Sequence, residues 1–211
     1  MTKLDLKKKY KEFYSGKPEE VVNVIVPKFQ YLMIDGSGYP GISQEYQEAM
    51  ETLFPLSYSI KFLMKKKGQD YTVMPLEGLW WADDMDIFTL MDDSRKDEWK
   101  WTSLIHQPEF VTQKDVDQAI KDLREKNKPL PSIKKLHFES LKESTSAQIL
   151  HIGPFSEEGP NIQKLHSFIQ EQGGEFDGHI QKHHEIYLSD MRRTTPEKLK
   201  TIIRQPYTLS D

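Results

Sequence analysis

The sequence predicts an α+β fold, a mostly antiparallel sheet with helices on one face. Three observations carry it. The connections at 71–81 and 134–153 are too short for crossover helices, so neighbouring strands there run antiparallel. Apolar residues recur at three- and four-residue steps over 46–64 and 158–172, the spacing of amphipathic helices. A faint repeat links "FQYLMIDGSGYPG" to "AQILHIGPFSEEG": Gln30, Leu32 and Ile34 recur as Gln148, Leu150 and Ile152, each time before a Gly/Pro turn and a helix. Two strand–turn–helix units related by a pseudo-twofold axis are therefore expected.

In chain order, residues 1–26 read as an N-terminal extension carrying a short surface helix, with Leu4, Leu6, Tyr10 and Phe13 on its sticky side. The main domain is expected over 27–211, in halves at about 27–126 and 132–211, joined by the linker "NKPLP". The first strand breaks at Gly36, Gly38, Pro40 and Gly41. The helix that follows carries Ala49, Leu53, Leu56, Ile60 and Met64, with a kink expected at Pro55 and an end at Gly68. "YTVMPLEGLWW" reads as strand, turn, strand, and "EWKWTSLIHQP" as a strand stopped by Pro108. Thr112 caps a helix to about Lys126, with Asp115 at the capping-box position. Two strands around a tight turn near Ser144 come next, then the helix ended by Gly173-Gly174. "QKHHEIYLSD" is a strand, and "TTPEKLKTIIRQP" predicts a closing helix with Thr195 as N-cap and Pro196 in its first turn.

Composition narrows the function. The 211 residues are 36% hydrophobic and 29% charged, with a net charge of −4, which does not favour nucleic acid or an anionic membrane as partner. The absence of cysteine excludes thiol catalysis and cysteine-ligated metals, and fits a reducing cytoplasm. The N-terminus lacks the apolar core of a signal peptide, and no apolar run approaches the roughly 20 residues of a membrane span.

Strand alternation separates two faces. Leu32, Ile34, Leu150, Ile152, Ile186 and Leu188 form the set expected beneath helices. The other face collects Tyr31 and Met33, one or both of Trp80 and Trp81, Ile149, His151, Glu185 and Tyr187, with Trp99 and Trp101 as candidates to join them. A surface so rich in aromatics needs a cover or a ligand, and an aromatic cleft with few polar groups is the usual form of a small-molecule site. A second small core would bury the same rings with no ligand. Glu185 argues against it, because an unpaired carboxylate in sealed apolar surroundings is costly. Lys28, Lys61 or Arg192 are the basic residues expected to neutralise it otherwise.

"YLMIDGSGYPG", "SYSIKF", "YTVMPLEGLWW" and "KHHEIYLSDMRRTTPEKLKTIIRQP" together resemble the GyrI-like small-molecule-binding family, and in particular its stand-alone single-domain bacterial members. The resemblance implies paired βαββ units with a ligand groove and places Glu185 where family members hold a buried glutamate near bulky aromatic ligands. Twenty-six residues before the first strand leave no room for a helix-turn-helix domain, so a transcription factor is not expected. Some members of this kind hydrolyse cyclopropanoid DNA alkylators, which carry a strained cyclopropane on a dienone. That chemistry makes Glu185, Tyr187 and Tyr58 the candidate catalytic residues. Trp80, Trp81, Trp101, Tyr31, Met33 and His151 are the candidate ligand contacts, with no cofactor. In an apolar pocket the pKa of Glu185 is expected to rise toward neutrality. The alternatives are a drug-sequestering protein without chemistry and a gyrase-inhibitor-like partner binder.

Other motifs carry less. In "HIQKHHE" only His183 and Glu185 share a strand face, which is not the two-histidine helical spacing of a zinc site, so no metal is expected. "MIDGSGYPG" has no phosphate-loop lysine, and Ser57, Ser59 and Ser189 lack a nucleophile-elbow context.

Overall fold

The computed structural model describes residues 3–89 and 93–209. The chain is α+β, as predicted, and falls into two compact units. One gathers the N-terminal end up to Lys9 with Phe29–Met74 and Ala82–Leu141. The other gathers Tyr10–Lys28, Pro75–Trp81 and the chain from Lys142 onward. Strand β1 (Val22–Ser37) and strand β4 (Leu136–Ile152) each contribute to both.

In the first unit β1 pairs antiparallel with β3 (Lys100–Gln107), from Gln30 opposite Gln107 to Ser37 opposite Lys100. After the short α1 (Leu6–Lys9), the principal helix is α2 (Gln44–Lys66), one element despite Pro55. Its N-cap is Ser43, whose hydroxyl accepts from the Tyr46 amide at 3.2 Å. Ala49, Leu53, Leu56, Ile60 and Met64 are its buried stripe. A four-residue turn, α3 (Asp86–Thr89), precedes β3. Helix α4 (Gln113–Glu125) begins with the predicted Thr112–Asp115 capping box.

Trp101 decides the local geometry of this unit. It lies opposite Gly36, in register with Leu32 and Ile34, and Tyr46 of α2 meets its ring edge-on at 5.0 Å. Its indole N–H donates to the Gly38 carbonyl at 3.2 Å. The ring occupies the space that a Cβ at residue 36 would need.

In the second unit the sheet order is β2 (Glu77–Trp81), β6 (His183–Tyr187), β7 (Lys200–Pro206) and the end of β4. All the pairings among them are antiparallel. Gly78, Glu185, Ile203 and Ile149 lie side by side across the four strands, and so do Tyr187, Thr201 and His151. Helix α5 (Gly159–Glu171) packs Leu165 and Ile169 on this face, against Ala147, Ile149, Ile203 and Tyr207. A two-residue pair, β5 (Gly174–Glu175) with β8 (Thr208–Leu209), lies beyond it.

Several local expectations are corrected. The segment 195–206 is a single 3-10 turn followed by β7, not a helix. Thr201, Ile202 and Ile203 are consecutive β-branched residues buried on both faces, which a strand accommodates and a helix does not. The turn near Ser144 is absent as a hairpin; β4 runs on through it, with Ser144 at φ +59° as a local left-handed kink. Of 71–81 only 77–81 is a strand. The N-terminal segment is no surface helix. Phe13 and Tyr14 are buried, and residues 12–18 cover the sheet face of Leu150 and Ile202. That cover displaces α5 to the Ile149 side and leaves Ile152 43% exposed.

Replacing Gly36 with alanine forces the Trp101 indole off its seat. Overpacking of this kind costs about 1–3 kcal/mol, so Gly36→Ala should lower the thermal midpoint by several degrees in a calorimetric scan.

Candidate functional site

Strand β6 is short, yet every second residue on it is polar. His183, Glu185 and Tyr187 point to the α5 face, while His184 and Ile186 point to the other. Both faces are chemically specialised.

On the α5 face a directed chain of hydrogen bonds ends on Glu185. The Trp80 indole N–H donates to the Tyr187 oxygen at 3.1 Å, and the Tyr187 hydroxyl donates to Glu185 Oε2 at 2.7 Å. Gly78 makes the first of these possible, since a Cβ there would sit 2.9 Å from Trp80 Nε1 and 3.0 Å from the Tyr187 oxygen. His183 Nε2 reaches Glu185 Oε1 at 3.3 Å, and each of these two side chains is 15% exposed. Phe155 packs edge-on against Tyr187 at 5.6 Å.

Glu158 completes the group. It stands at the N-terminal end of α5, is 4% exposed, and brings its carboxyl against that of Glu185 and beside Thr201. Two carboxyls in contact at a buried site hold one proton between them. Burial and the Glu185 charge push the pKa of Glu158 far up. Burial also opposes the charge on Glu185, but His183 and then Tyr187 outweigh it and hold that group below the ordinary carboxylate value. Glu185 is thus the anion and Glu158 the acid. Glu158 Oε1 is buried with no directed hydrogen-bond partner among the described residues.

The loop that delivers Glu158 is fixed by His151. Its Nε2 donates to the Pro154 carbonyl at 3.1 Å, so Nδ1 is the acceptor of the Asn161 amide at 2.9 Å. His151 holds the loop and is itself 3% exposed.

On the opposite face His184 sits between two carboxylates, Glu143 at 2.8 Å from Nδ1 and Glu77 at 3.0 Å from Nε2. The Glu77 contact is bent away from hydrogen-bond geometry and acts as an ion pair. Arg204 donates to Glu143 at 2.8 Å, to Gln148 at 3.1 Å and to the Phe13 carbonyl at 2.7 Å, while Tyr14 donates to Glu77 at 2.9 Å. Two cations therefore meet two anions, all buried. Burial alone would strip the proton from His184, but Glu143 and Glu77 raise its pKa to about 9. Burial likewise opposes ionisation of Glu143, yet His184 and Arg204 lower it to about 2.

The predicted site residues divide. Glu185, Tyr187 and Trp80 are brought together, and His151 orders the neighbouring loop. Trp81 alternates away and carries Lys182 Nζ 3.4 Å from its ring centre. Tyr31, Met33, Tyr58 and Trp101 belong to the other unit. There Trp101 and Tyr31 are core residues at 0% and 1% exposure, and Tyr58 is a half-exposed residue of α2. Neither Lys61 nor Arg192 neutralises Glu185: they pair with Asp70 and Asp190. His183 and Tyr187 satisfy the carboxylate instead, which is why its pKa falls when a rise was expected. Sequence alone does not single out Glu158, because a glutamate before Gly-Pro at a helix start reads as an ordinary cap.

A family model described as "GyrI-like small molecule binding domain" matches residues 20–207. The chain belongs to the GyrI-like small-molecule-binding family. Two solved structures from Listeria innocua, one of an uncharacterized conserved protein and one called a hydrolase, are each 37% identical to it. In both cases 98% of this chain and 100% of the other are covered, with TM-scores of 0.89 and 0.83. The EcmrR C-terminal domain shares the GyrI-like fold at 10% identity and a TM-score of 0.54, covering 90% of this chain and 98% of that one. Comparison with curated proteins gave no significant match. Among the described residues of this GyrI-like chain, no helix is long and apolar enough to cross a membrane, and no group of three or more His, Asp or Glu side chains is placed to hold a metal.

Two outcomes follow from the buried ion cluster. Removing one partner leaves a buried charge unbalanced at a cost of about 3–5 kcal/mol, so Arg204→Met should lower the free energy of urea unfolding by that amount. The stabilisation from His184 is complete below its ordinary value of 6.5 and is lost as pH rises through about 9. That from Glu143 is complete above 4.5 and is lost as pH falls through about 2. The cluster's contribution to the urea midpoint, read as the difference from Arg204→Met, should therefore be largest between pH 4.5 and 6.5 and fall on both sides.

Proposed function

We propose that this chain binds flat aromatic small molecules and adds water across the strained cyclopropane of cyclopropanoid DNA-alkylating compounds, so removing their reactivity. The observation that carries the reading is the buried carboxyl pair, Glu158 against Glu185, beside the Trp80, Tyr187 and Phe155 rings. The 37% identity to a Listeria innocua protein called a hydrolase supports the reaction class.

The chemistry needs a base for water and an acid for the dienone oxygen. Glu185, kept ionised, takes a proton from water as its oxygen attacks the cyclopropane methylene. The ring C–C bond breaks, its electron pair passes through the dienone to the oxygen, and that ring becomes aromatic. The developing phenolate is protonated by Glu158. Tyr187 is not the donor in this scheme, because its proton is committed to Glu185 at 2.7 Å. It positions the base instead. Trp80 and Tyr187 supply flat walls for a planar ligand.

Incubation with a cyclopropanoid should give a product heavier by one water on mass spectrometry. Glu185→Gln should abolish that product while ligand quenching of tryptophan fluorescence is kept; quenching without product from the unaltered protein would make it a binder only. The rate should also require the singly protonated pair. It should fall below the ordinary carboxylate range as Glu185 protonates, and fall again well above neutrality as Glu158 loses its proton. Tyr187→Phe removes one hydrogen bond that favours the Glu185 anion, so its acid limb should move to higher pH.

A further inference from the structure

We propose a second activity for the same carboxyl pair: hydration of aryl-substituted oxiranes to vicinal diols. The inference shares the pair with the preceding section and does not depend on the cyclopropane.

An acid and a base fixed together serve any three-membered ring whose opening needs a proton at one end and water at the other. The buried contact between two carboxyls supplies both at once, because two such groups at one site retain one proton. His183 and Tyr187 fix which partner carries the charge, since both contact Glu185. Glu158 Oε1 makes no directed hydrogen bond among the described residues at a buried position, which leaves that oxygen able to take a polar partner from a ligand. An oxirane oxygen is a partner of the right kind, a small acceptor for the carboxylic proton. The aryl requirement comes from the walls. The Trp80 indole and the Phe155 ring both meet Tyr187 beside Glu185, and the oxirane carbon next to an aryl group develops positive charge that neighbouring aromatic rings and the Glu185 anion stabilise.

The step balances. Glu158 gives its proton to the oxirane oxygen as the benzylic C–O bond breaks. Water forms the new C–O bond to that carbon, and Glu185 takes the released proton. The pair then holds its proton on Glu185 and its charge on Glu158, and the direct carboxyl contact returns the proton. No oxidant, reductant or exchange with bulk solvent is needed to restore the starting state.

The test uses the purified full chain with (R)- and (S)-styrene oxide in ¹⁸O-labelled water. Protein-dependent 1-phenylethane-1,2-diol should form faster than in buffer, faster from one enantiomer, and with one ¹⁸O from water in a single turnover. Glu158→Gln and Glu185→Gln should each slow it by about 100-fold or more, the size of one general acid or base contribution, with an unchanged circular dichroism spectrum. Diol formation no faster than in buffer overturns the proposal, and so does single-turnover diol whose new oxygen is unlabelled, because that oxygen came from a carboxyl ester. The two readings separate cleanly. A protein that hydrates a cyclopropanoid and leaves styrene oxide untouched overturns this proposal alone; one that hydrates styrene oxide and leaves the cyclopropanoid untouched supports this one and overturns the other.

Discussion

Strand β6 carries ionised groups on both of its faces, and the second unit is arranged around that constraint. His184 is charged on one side and Glu185 on the other, one residue apart, in a strand only five residues long. A strand cannot slip by one residue without exchanging these faces, which would put each charge among the wrong partners. The cluster of Glu77, Glu143 and Arg204 around His184 thus does more than neutralise itself. Glu77 comes from β2, Glu143 from β4 and Arg204 from β7, so three neighbouring strands hold one imidazole and fix the register between them. Apolar residues of similar size would pack such a space at least as stably. Ionic groups add specificity of register, and register places Glu185 opposite Gly78.

Gly78 shows how a missing side chain builds a site. Directly across from Glu185, it leaves the sheet surface open at the point where the Trp80 indole and the Tyr187 phenol meet. Any larger residue would push between these rings and the carboxylate. The "EGLWW" stretch thereby combines a buried ion-cluster partner, a vacancy and an indole donor in four consecutive residues, Glu77 to Trp80. The two-residue alternation of the strand sends Glu77 to one face and Gly78 and Trp80 to the other.

Much of this was legible in the sequence, because it follows from alternation. The placement of His151, Glu185 and Tyr187 on one face of the sheet could be read from spacing alone, as could the Thr112 capping box and the stripe of α2. The losses have physical causes. "TIIRQP" reads as a helix because Thr195-Pro196 is a good helix start, yet three consecutive β-branched residues buried on both sides make it a strand. Trp101 reads as a cleft residue by its aromatic type, whereas register with Gly36 puts it under Tyr46. The ion cluster had no local signature at all. Its members lie at positions 77, 143, 184 and 204, and only tertiary pairing brings them together. Glu158 was hidden for the same reason, since a carboxylate becomes an acid only when another carboxylate is folded against it.

That last point bears on how the site divides its labour. A single buried glutamate would face a conflict: desolvation that makes it a better base also makes it harder to ionise. Here the conflict is resolved by sharing. His183 and Tyr187 contact Glu185, and their hydrogen bonds favour its anion. Burial and the neighbouring anion then keep the proton on Glu158. The Trp80 N–H polarises the Tyr187 hydroxyl toward Glu185, so the phenol proton is spent inside the protein. What is left for a ligand is one carboxylate and one carboxylic acid beside aromatic rings.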